Sequence, residues 1–323
     1  MNKNVGIIGA GSMGTAMANL LAKKGCTVRL YVRREDLYKK MKLERRNVDY
    51  FPEIKLSDNI FFYNNIEEVS NVDILLLAIP SHALRDIVKR ISPVLDSNTC
   101  ILNVSKGIED GTLKRMSEVI LEEIQTNNPV VVLSGPSIAK EILYEFPTRV
   151  VIAGKDKNIL REIQSIFTTN YFSVSISTDL IGVEYAGALI NVIAILAGMA
   201  DGMNYGYNTK AAIITEGIKE IQEIGVALGG EPQTFYDIAG LGDLIVTSLG
   251  GRNRYFGELF AKGNNIHEIN AQMRGVIVEG YKMTKVAYEI GKKYGFNLRL
   301  INATYNILYE NEPVEKLKDL WRA

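Results

Sequence analysis

Apolar positions along this chain change their rhythm once, near residue 180. Before that point they come as short runs, at residues 5–8, 27–32, 60–63, 73–79, 100–104, 130–133 and 150–153, with a last one around 171–175. Stretches with helical spacing separate several of them. Short runs rich in Val, Ile and Leu, alternating with helical patterns, predict an open, mainly parallel sheet with helices on both faces. From about Ile181 the pattern becomes one helix after another, and the glycine-rich stretch 239–254 is its main interruption. The expected architecture is α/β, with a doubly wound N-terminal sheet over residues 1–180 and an all-helical C-terminal domain over 181–323.

The first run leads straight into Gly9-Ala10-Gly11-Ser12-Met13-Gly14 and then into the helical Thr15-Ala16-Met17-Ala18. Between a strand and a helix each glycine has a task. Gly9 serves the tight turn, Gly11 leaves bare backbone for a pyrophosphate, and Gly14 lets helix and strand pack closely, with the helix N-terminus facing the phosphates. The order is that of a Rossmann-type dinucleotide site. The second run ends at Arg33-Arg34-Glu35. An acidic residue in this region takes the ribose hydroxyls of NAD, whereas arginine accommodates the extra phosphate of NADP. Either NADPH or NADH is therefore expected, with the two arginines favouring NADP and Glu35 the counter-argument.

Composition narrows the partners. The 323 residues are 47% hydrophobic, enough for a large core in two domains. Basic and acidic side chains number 37 each and form no basic block, which argues against a nucleic-acid surface. Small molecules, or copies of the same chain, are the expected partners. Cys26 and Cys100 lie apart without CxxC spacing, as in a reduced cytoplasmic protein. His82 and His267 are the only histidines, so spacing offers no metal cluster. No signal peptide is read at Met1-Asn2-Lys3-Asn4. The apolar run 181–203 is long enough to span a bilayer, but Glu184, Asn191 and recurring glycine make a buried core helix the better reading, with no membrane span.

Ligands of a doubly wound sheet gather beyond the carboxyl ends of its strands. Pro80-Ser81-His82, Ser105-Lys106-Gly107 and Ser134-Gly135-Pro136-Ser137 all leave strands there. Lys106 can offer a cation at the nicotinamide end, or be a solvated turn lysine. Gly135 and Ser137 can present donors to a substrate, or form a plain turn. On the apolar helix, Glu184, Gly187, Ala188 and Asn191 share one stripe that something approaches closely, either another helix or bound substrate and nicotinamide. The loop 239–247, with Asp243 and Thr247, and the following Gly250-Gly251-Arg252-Asn253-Arg254 gather glycine, acid, hydroxyl, guanidinium and amide groups. A phosphate site is their natural reading, against a surface turn as the alternative.

Together these segments resemble the NAD(P)-dependent glycerol-3-phosphate dehydrogenases of bacterial type. The likeness rests on GAGSMGTAMA, Asn47-Val48-Asp49-Tyr50-Phe51-Pro52, PSHALR, Ser105-Lys106-Gly107, GPSIAKE, Pro147-Thr148, GALINVIAILAGMADGM, NTKAAIIT, AGLGDL, GGRNR and Val278-Glu279-Gly280. It implies reversible reduction of dihydroxyacetone phosphate to sn-glycerol 3-phosphate, feeding phospholipid synthesis. By position, Lys106, Gly135 and Ser137 would touch substrate, Asp243 and Thr247 would line the reacting end, and Gly251, Arg252 and Asn253 would hold the phosphate. Ser12, Met13, Arg33, Arg34, Lys106, Ala139, Arg252, Ile277 and Glu279 would contact the cofactor.

The resemblance breaks at one telling place. The family motif reads GALKNV, and its lysine is the general acid and base; this chain has Ile190 there. Glu216 stands where arginine is usual, and Met13 where tryptophan is usual. Proton-transfer assistance contributes roughly 10²–10⁴-fold, so its loss weakens hydride transfer unless Lys106, or a water held by Asn191 and Asp243, substitutes. Three readings follow: a slow or rewired family enzyme, a related reductase of another substrate, and a non-catalytic binder or a chain with an introduced isoleucine. In the first, Lys106 steadies the nascent alkoxide while Asn191, Asp243 and Thr247 orient hydroxyl groups. The apolar second-domain helices point to a homodimer.

Overall fold

The computed structural model describes residues 3–273 and 278–321. Its first part runs β1 (Asn4–Ile8), α1 (Ser12–Lys23), β2 (Thr27–Tyr31), α2 (Glu35–Glu44), β3 (Ile60–Tyr63), β4 (Ile74–Leu77), α3 (Leu84–Ile91) and β5 (Cys100–Asn103). It continues through α4 (Met116–Glu123), β6 (Val130–Ser134), α5 (Ala139–Leu143), β7 (Thr148–Ala153), α6 (Lys157–Phe167) and β8 (Phe172–Ser177). All the expected strands are present. They form one eight-stranded sheet in the order β3-β2-β1-β4-β5-β6-β7-β8.

Pairing is parallel from β3 to β6, with Ile7 opposite Leu30 on one side and Leu76 on the other. β7 then runs antiparallel to β6, and β8 parallel to β7. Alternate residues feed two apolar layers. Val5, Ile7, Leu30, Leu76 and Leu102 pack on one face, and Ile8, Tyr31, Leu75, Leu77 and Ile101 on the other. Burial on both faces is why the strands read as continuous apolar runs. Strand order reverses between β1 and β4, which makes the ends of those two strands the switch point of the sheet.

Two compact units result. One comprises Met1–Ser105 and Met116–Leu180, the other Lys106–Arg115 and Ile181–Ala323. The second is helical: α7 (Leu180–Gly202), α8 (Tyr207–Ala227), α9 (Asp243–Leu249), α10 (Arg252–Ala261), α11 (Ile266–Gln272), α12 (Glu279–Tyr294) and α13 (Arg299–Tyr309). α7 is apolar enough to cross a membrane, yet 94% of its apolar window is buried inside the protein. α10 crosses it backbone to backbone. A methyl group at Gly198 would stand 1.9 Å from the Arg254 carbonyl oxygen, and one at Gly257 2.0 Å from that of Ile195. The excursion Lys106–Arg115 joins this unit because Ile108 enters its apolar core and Arg115 pairs with buried Glu184 at 2.7 Å.

The stretch expected as a loop over 239–247 is mostly helical, a correction to the sequence reading. Ile238–Gly242 forms a single π-helical turn that runs directly into α9. Gly240 serves packing rather than loop freedom, for a methyl group there would meet the Phe235 carbonyl oxygen at 2.1 Å.

Candidate active site

The turn between β1 and α1 divides its glycines by task. Gly9 has a φ of +114°, and a side chain there would strike the Ala78 carbonyl oxygen at 2.3 Å. A methyl group at Gly14 would lie 1.8 Å from the Gly9 carbonyl oxygen, while one at Gly11 would have nothing within 4 Å. Gly11 is thus where a ligand can approach bare backbone, and it precedes a helix N-terminus without a side-chain cap. Ser12 and Met13 occupy the first turn of α1, half-buried. Ala139 opens α5 and packs on the same apolar cluster as Met13. Buried Asn47 fastens the turn from below, donating to the Ala10 carbonyl at 2.9 Å and to Thr15 Oγ1 at 2.8 Å. This cradle fits a dinucleotide.

Beyond β2, Arg33 and Arg34 are both exposed. Arg34 forms an ion pair with Asp49. Glu35 is committed elsewhere, accepting from Asn64 at 2.7 Å and facing Lys39 at 3.2 Å. Those two contacts hold its carboxyl below the usual value, the Asn64 hydrogen bond contributing most.

At the carboxyl edge of the sheet, the exit from β5 is tightly tied. Ser105 Oγ donates to the Ile79 carbonyl at 2.6 Å, and the Asn103 amide bonds the Ser105 carbonyl at 2.9 Å. Lys106 follows immediately, three residues past the end of β5 and so within roughly 11 Å of it. At the end of β6, Gly135 has a φ of +121° and its carbonyl accepts from Ser137 Oγ at 2.9 Å. The neighbouring Ser134 hydroxyl is buried without a partner among the described residues.

In the second unit the Lys106 ammonium pairs with Asp243, whose side chain is 2% exposed. Thr247, one turn along α9, donates to the other carboxylate oxygen at 3.3 Å. Asn253 joins three helices: its amide donates to Asn191 Oδ1 at 2.6 Å, and its carbonyl accepts from the Gly280 N–H at 3.0 Å. Asn191 in turn donates to the Gly187 and Ala188 carbonyls at 3.2 and 3.1 Å. Both polar groups of the small-residue stripe are therefore partnered within the unit, Glu184 by Arg115 and Asn191 by Asn253. Arg252 is exposed in the first turn of α10, behind Gly251 at a φ of +97°.

Sequence reasoning missed the support beneath α10. Arg254 bonds Asp201 at 2.6 Å and Glu258 at 2.7 Å, and Lys210 reaches Asp201 at 2.6 Å. The signal was there, since Asp201, Lys210 and Arg254 lie within quoted motifs. Ile190 is fully buried in the apolar cluster, one residue before Asn191. Glu216 is exposed on α8 and pairs with Lys219 at 2.8 Å. Glu279 opens α12 behind Val278, while Ile277 lies outside the described residues.

A side-chain-free turn at the switch point of a doubly wound sheet, opening onto an uncapped helix N-terminus, is built for the pyrophosphate of a dinucleotide. That arrangement defines a dinucleotide-binding protein of the doubly wound class. The family profiles described as NAD-dependent glycerol-3-phosphate dehydrogenase N-terminus and C-terminus match residues 4–160 and 179–319. A glycerol-3-phosphate dehydrogenase (NAD(P)+) of Clostridium botulinum is 43% identical over 311 residues, 95% of this chain and 93% of that protein. The crystal structure of glycerol-3-phosphate dehydrogenase from Coxiella burnetii superposes with a TM-score of 0.95 at 31% identity, covering 100% of this chain and 99% of the other. The Saccharomyces cerevisiae enzyme gives 0.87 at 27% identity, with full coverage (100%) of both chains. The chain belongs to the NAD-dependent glycerol-3-phosphate dehydrogenase family.

Proposed function

We propose that this chain reduces dihydroxyacetone phosphate to sn-glycerol 3-phosphate with NADPH or NADH, with Lys106 moving the proton that a lysine at position 190 moves elsewhere in the family. The observation that carries this is the Lys106–Asp243–Thr247 cluster: a lysine ammonium fixed on a buried carboxylate, in a unit whose α10 begins with Arg252. Held on the glycine turn, a nicotinamide dinucleotide would supply the hydride chemistry.

The protein's own groups do the rest. Lys106 Nζ steadies the oxygen as negative charge develops there and then gives it a proton, and water restores that proton through the quarter-exposed side chain. Asp243 aims the ammonium and Thr247 aims Asp243, so the donor is in place before reaction. The Arg252 guanidinium and the uncapped N–H groups of α10 hold the phosphate. Asn253 keeps one N–H for it while Asn191 and Gly280 fix its orientation. The Asp201–Arg254–Lys210 network holds the start of α10 at constant height.

Ile190 favours one other reading, reduction of a different phosphorylated carbonyl, because an apolar side chain there changes which substrate groups are tolerated. A cytoplasmic homodimer acting in glycerophospholipid synthesis completes the proposal. The test is to compare initial rates with dihydroxyacetone phosphate and with dihydroxyacetone, which lacks the phosphate. The proposal expects saturable turnover of the phosphorylated ketone and a kcat/KM about 100-fold lower without the phosphate, with Arg252→Gln raising KM. Equal rates on the two ketones, or turnover only of another phosphorylated carbonyl, would overturn it.

A further inference from the structure

The end of β2 carries an arrangement that the glycine turn and the arginines do not explain by themselves. Arg34, one of two arginines available to a ribose 2′-phosphate, is held by Asp49 and stands 3.9 Å from Asp36. Arg33, exposed beside it, makes no ion pair among the described residues. Asp49 is exposed, but its backbone is set by its neighbours. It lies between Asn47, which is fully buried, and Phe51, which is 5% exposed. The backbones of those two residues form an isolated antiparallel bridge. Asn47 is tied to the glycine turn by its two hydrogen bonds, to Ala10 and Thr15. One rigid loop therefore fixes a carboxylate relative both to the pyrophosphate turn and to the arginine at the end of β2.

We propose that Asp49 determines the choice between the two dinucleotides by holding Arg34 away from the 2′-phosphate. This rests on the dinucleotide reading of the glycine turn and deepens it. The 2′-phosphate adds close to two negative charges, and its strong binding needs a guanidinium that can turn both N–H groups toward it. Asp49 opposes that twice, by occupying Arg34 and by repelling the phosphate as a like charge. The 2′-hydroxyl of NAD carries no charge and meets neither obstacle. Glu35, the acid that sequence spacing offers for the ribose, is turned toward Asn64 and Lys39, so Asp49, with Asp36 further off at 3.9 Å, is the acid engaged with Arg34 here. With Asp49 present, the arginine pair amounts to one available cation, and the protein uses both cofactors instead of selecting NADP.

Calorimetric titration of the full chain with NADP+ and NAD+ tests this without reference to turnover. Asp49→Asn should raise the ratio Kd(NAD+)/Kd(NADP+) about tenfold, mainly by tightening NADP+. Asp49→Ser should do the same, and thermal melting confirms that each variant is folded. Arg34→Gln should change NADP+ binding little while Asp49 is present and remove most of the gain from Asp49→Asn in the double variant, the non-additivity expected of directly coupled groups. A ratio unchanged in both Asp49 variants, with NAD+ still binding, would overturn the assignment. So would equal tightening of both dinucleotides, or full additivity with Arg34→Gln. Failure of the unaltered chain to bind either dinucleotide would instead remove the reading of the glycine turn, and this inference with it.

Discussion

Lys106→Met removes the ammonium paired with Asp243 while keeping the length and apolar stem of the side chain. The Asp243 side chain is 2% exposed, and among the described residues the Thr247 hydroxyl at 3.3 Å is its remaining side-chain partner. Breaking a fully buried ion pair from one side costs about 3–5 kcal/mol. The Lys106 side chain is 25% exposed, so water screens the pair and about 2 kcal/mol is expected here. Activity should fall about 10²–10⁴-fold, the range for a lost proton donor that also steadies an alkoxide. Two companions separate these effects. Lys106→Met with Asp243→Asn removes the stranded carboxylate and should restore stability without restoring turnover. Lys106→Arg keeps the ion pair but cannot release a proton near neutrality, so it should be stable and still slow by about 10²-fold. Urea unfolding and initial-rate oxidation of NADPH with dihydroxyacetone phosphate read the two quantities. If Lys106→Met or Lys106→Arg turns over within about threefold of the original chain, Lys106 does not move the proton.

Other parts of the molecule make independent predictions. Glu220 accepts hydrogen bonds from the Leu300 and Ile301 N–H groups, but burial dominates and pushes its carboxyl up from 4.5 to about 7. The folded state therefore binds this proton more tightly than the unfolded chain, and its contribution is full below pH 4.5 and gone above pH 7. About 3 kcal/mol should be lost across that window, and Glu220→Gln should flatten the urea-unfolding profile there; parallel profiles would contradict it. Burial raises both thiols, Cys100 to about 12 and Cys26 less, so a disulfide reagent should label neither in the native protein and both after unfolding. Gly14→Ala should destabilise the first unit by about 2 kcal/mol, because its methyl group collides with the Gly9 carbonyl. Gly11→Ala should leave stability nearly unchanged yet weaken dinucleotide binding, which titration and melting measure side by side.

The strands were legible because a sheet buried on both faces leaves unbroken apolar runs, and α7 because its polar residues are few. The direction of β7 was not, since apolar content is the same for either pairing. Glycine density misled the reading of residues 239–247, where Gly240 meets a packing need inside a helical turn and resembles a loop residue. In the glycine turn Gly9 and Gly14 were readable because each answers a local steric demand, whereas Gly11 meets no protein atom and is read only from the motif. Lys106 could be located at the carboxyl edge from its place after β5, but its partner Asp243 lies 137 positions away and is fixed only by tertiary packing. The pairs Arg34–Asp49, Arg115–Glu184 and Arg254–Asp201 were hidden for the same reason. Charges that meet across loops leave no periodicity.

The central claim is that this chain still reduces dihydroxyacetone phosphate with isoleucine at position 190, the proton coming from Lys106. Initial rates of NADPH and NADH oxidation, measured with that substrate for the original chain and for Ile190→Lys, test it most directly. The account predicts saturable turnover by the original and a higher rate in the lysine variant. Binding of cofactor with no turnover by the original, and activity only in Ile190→Lys, would contradict it.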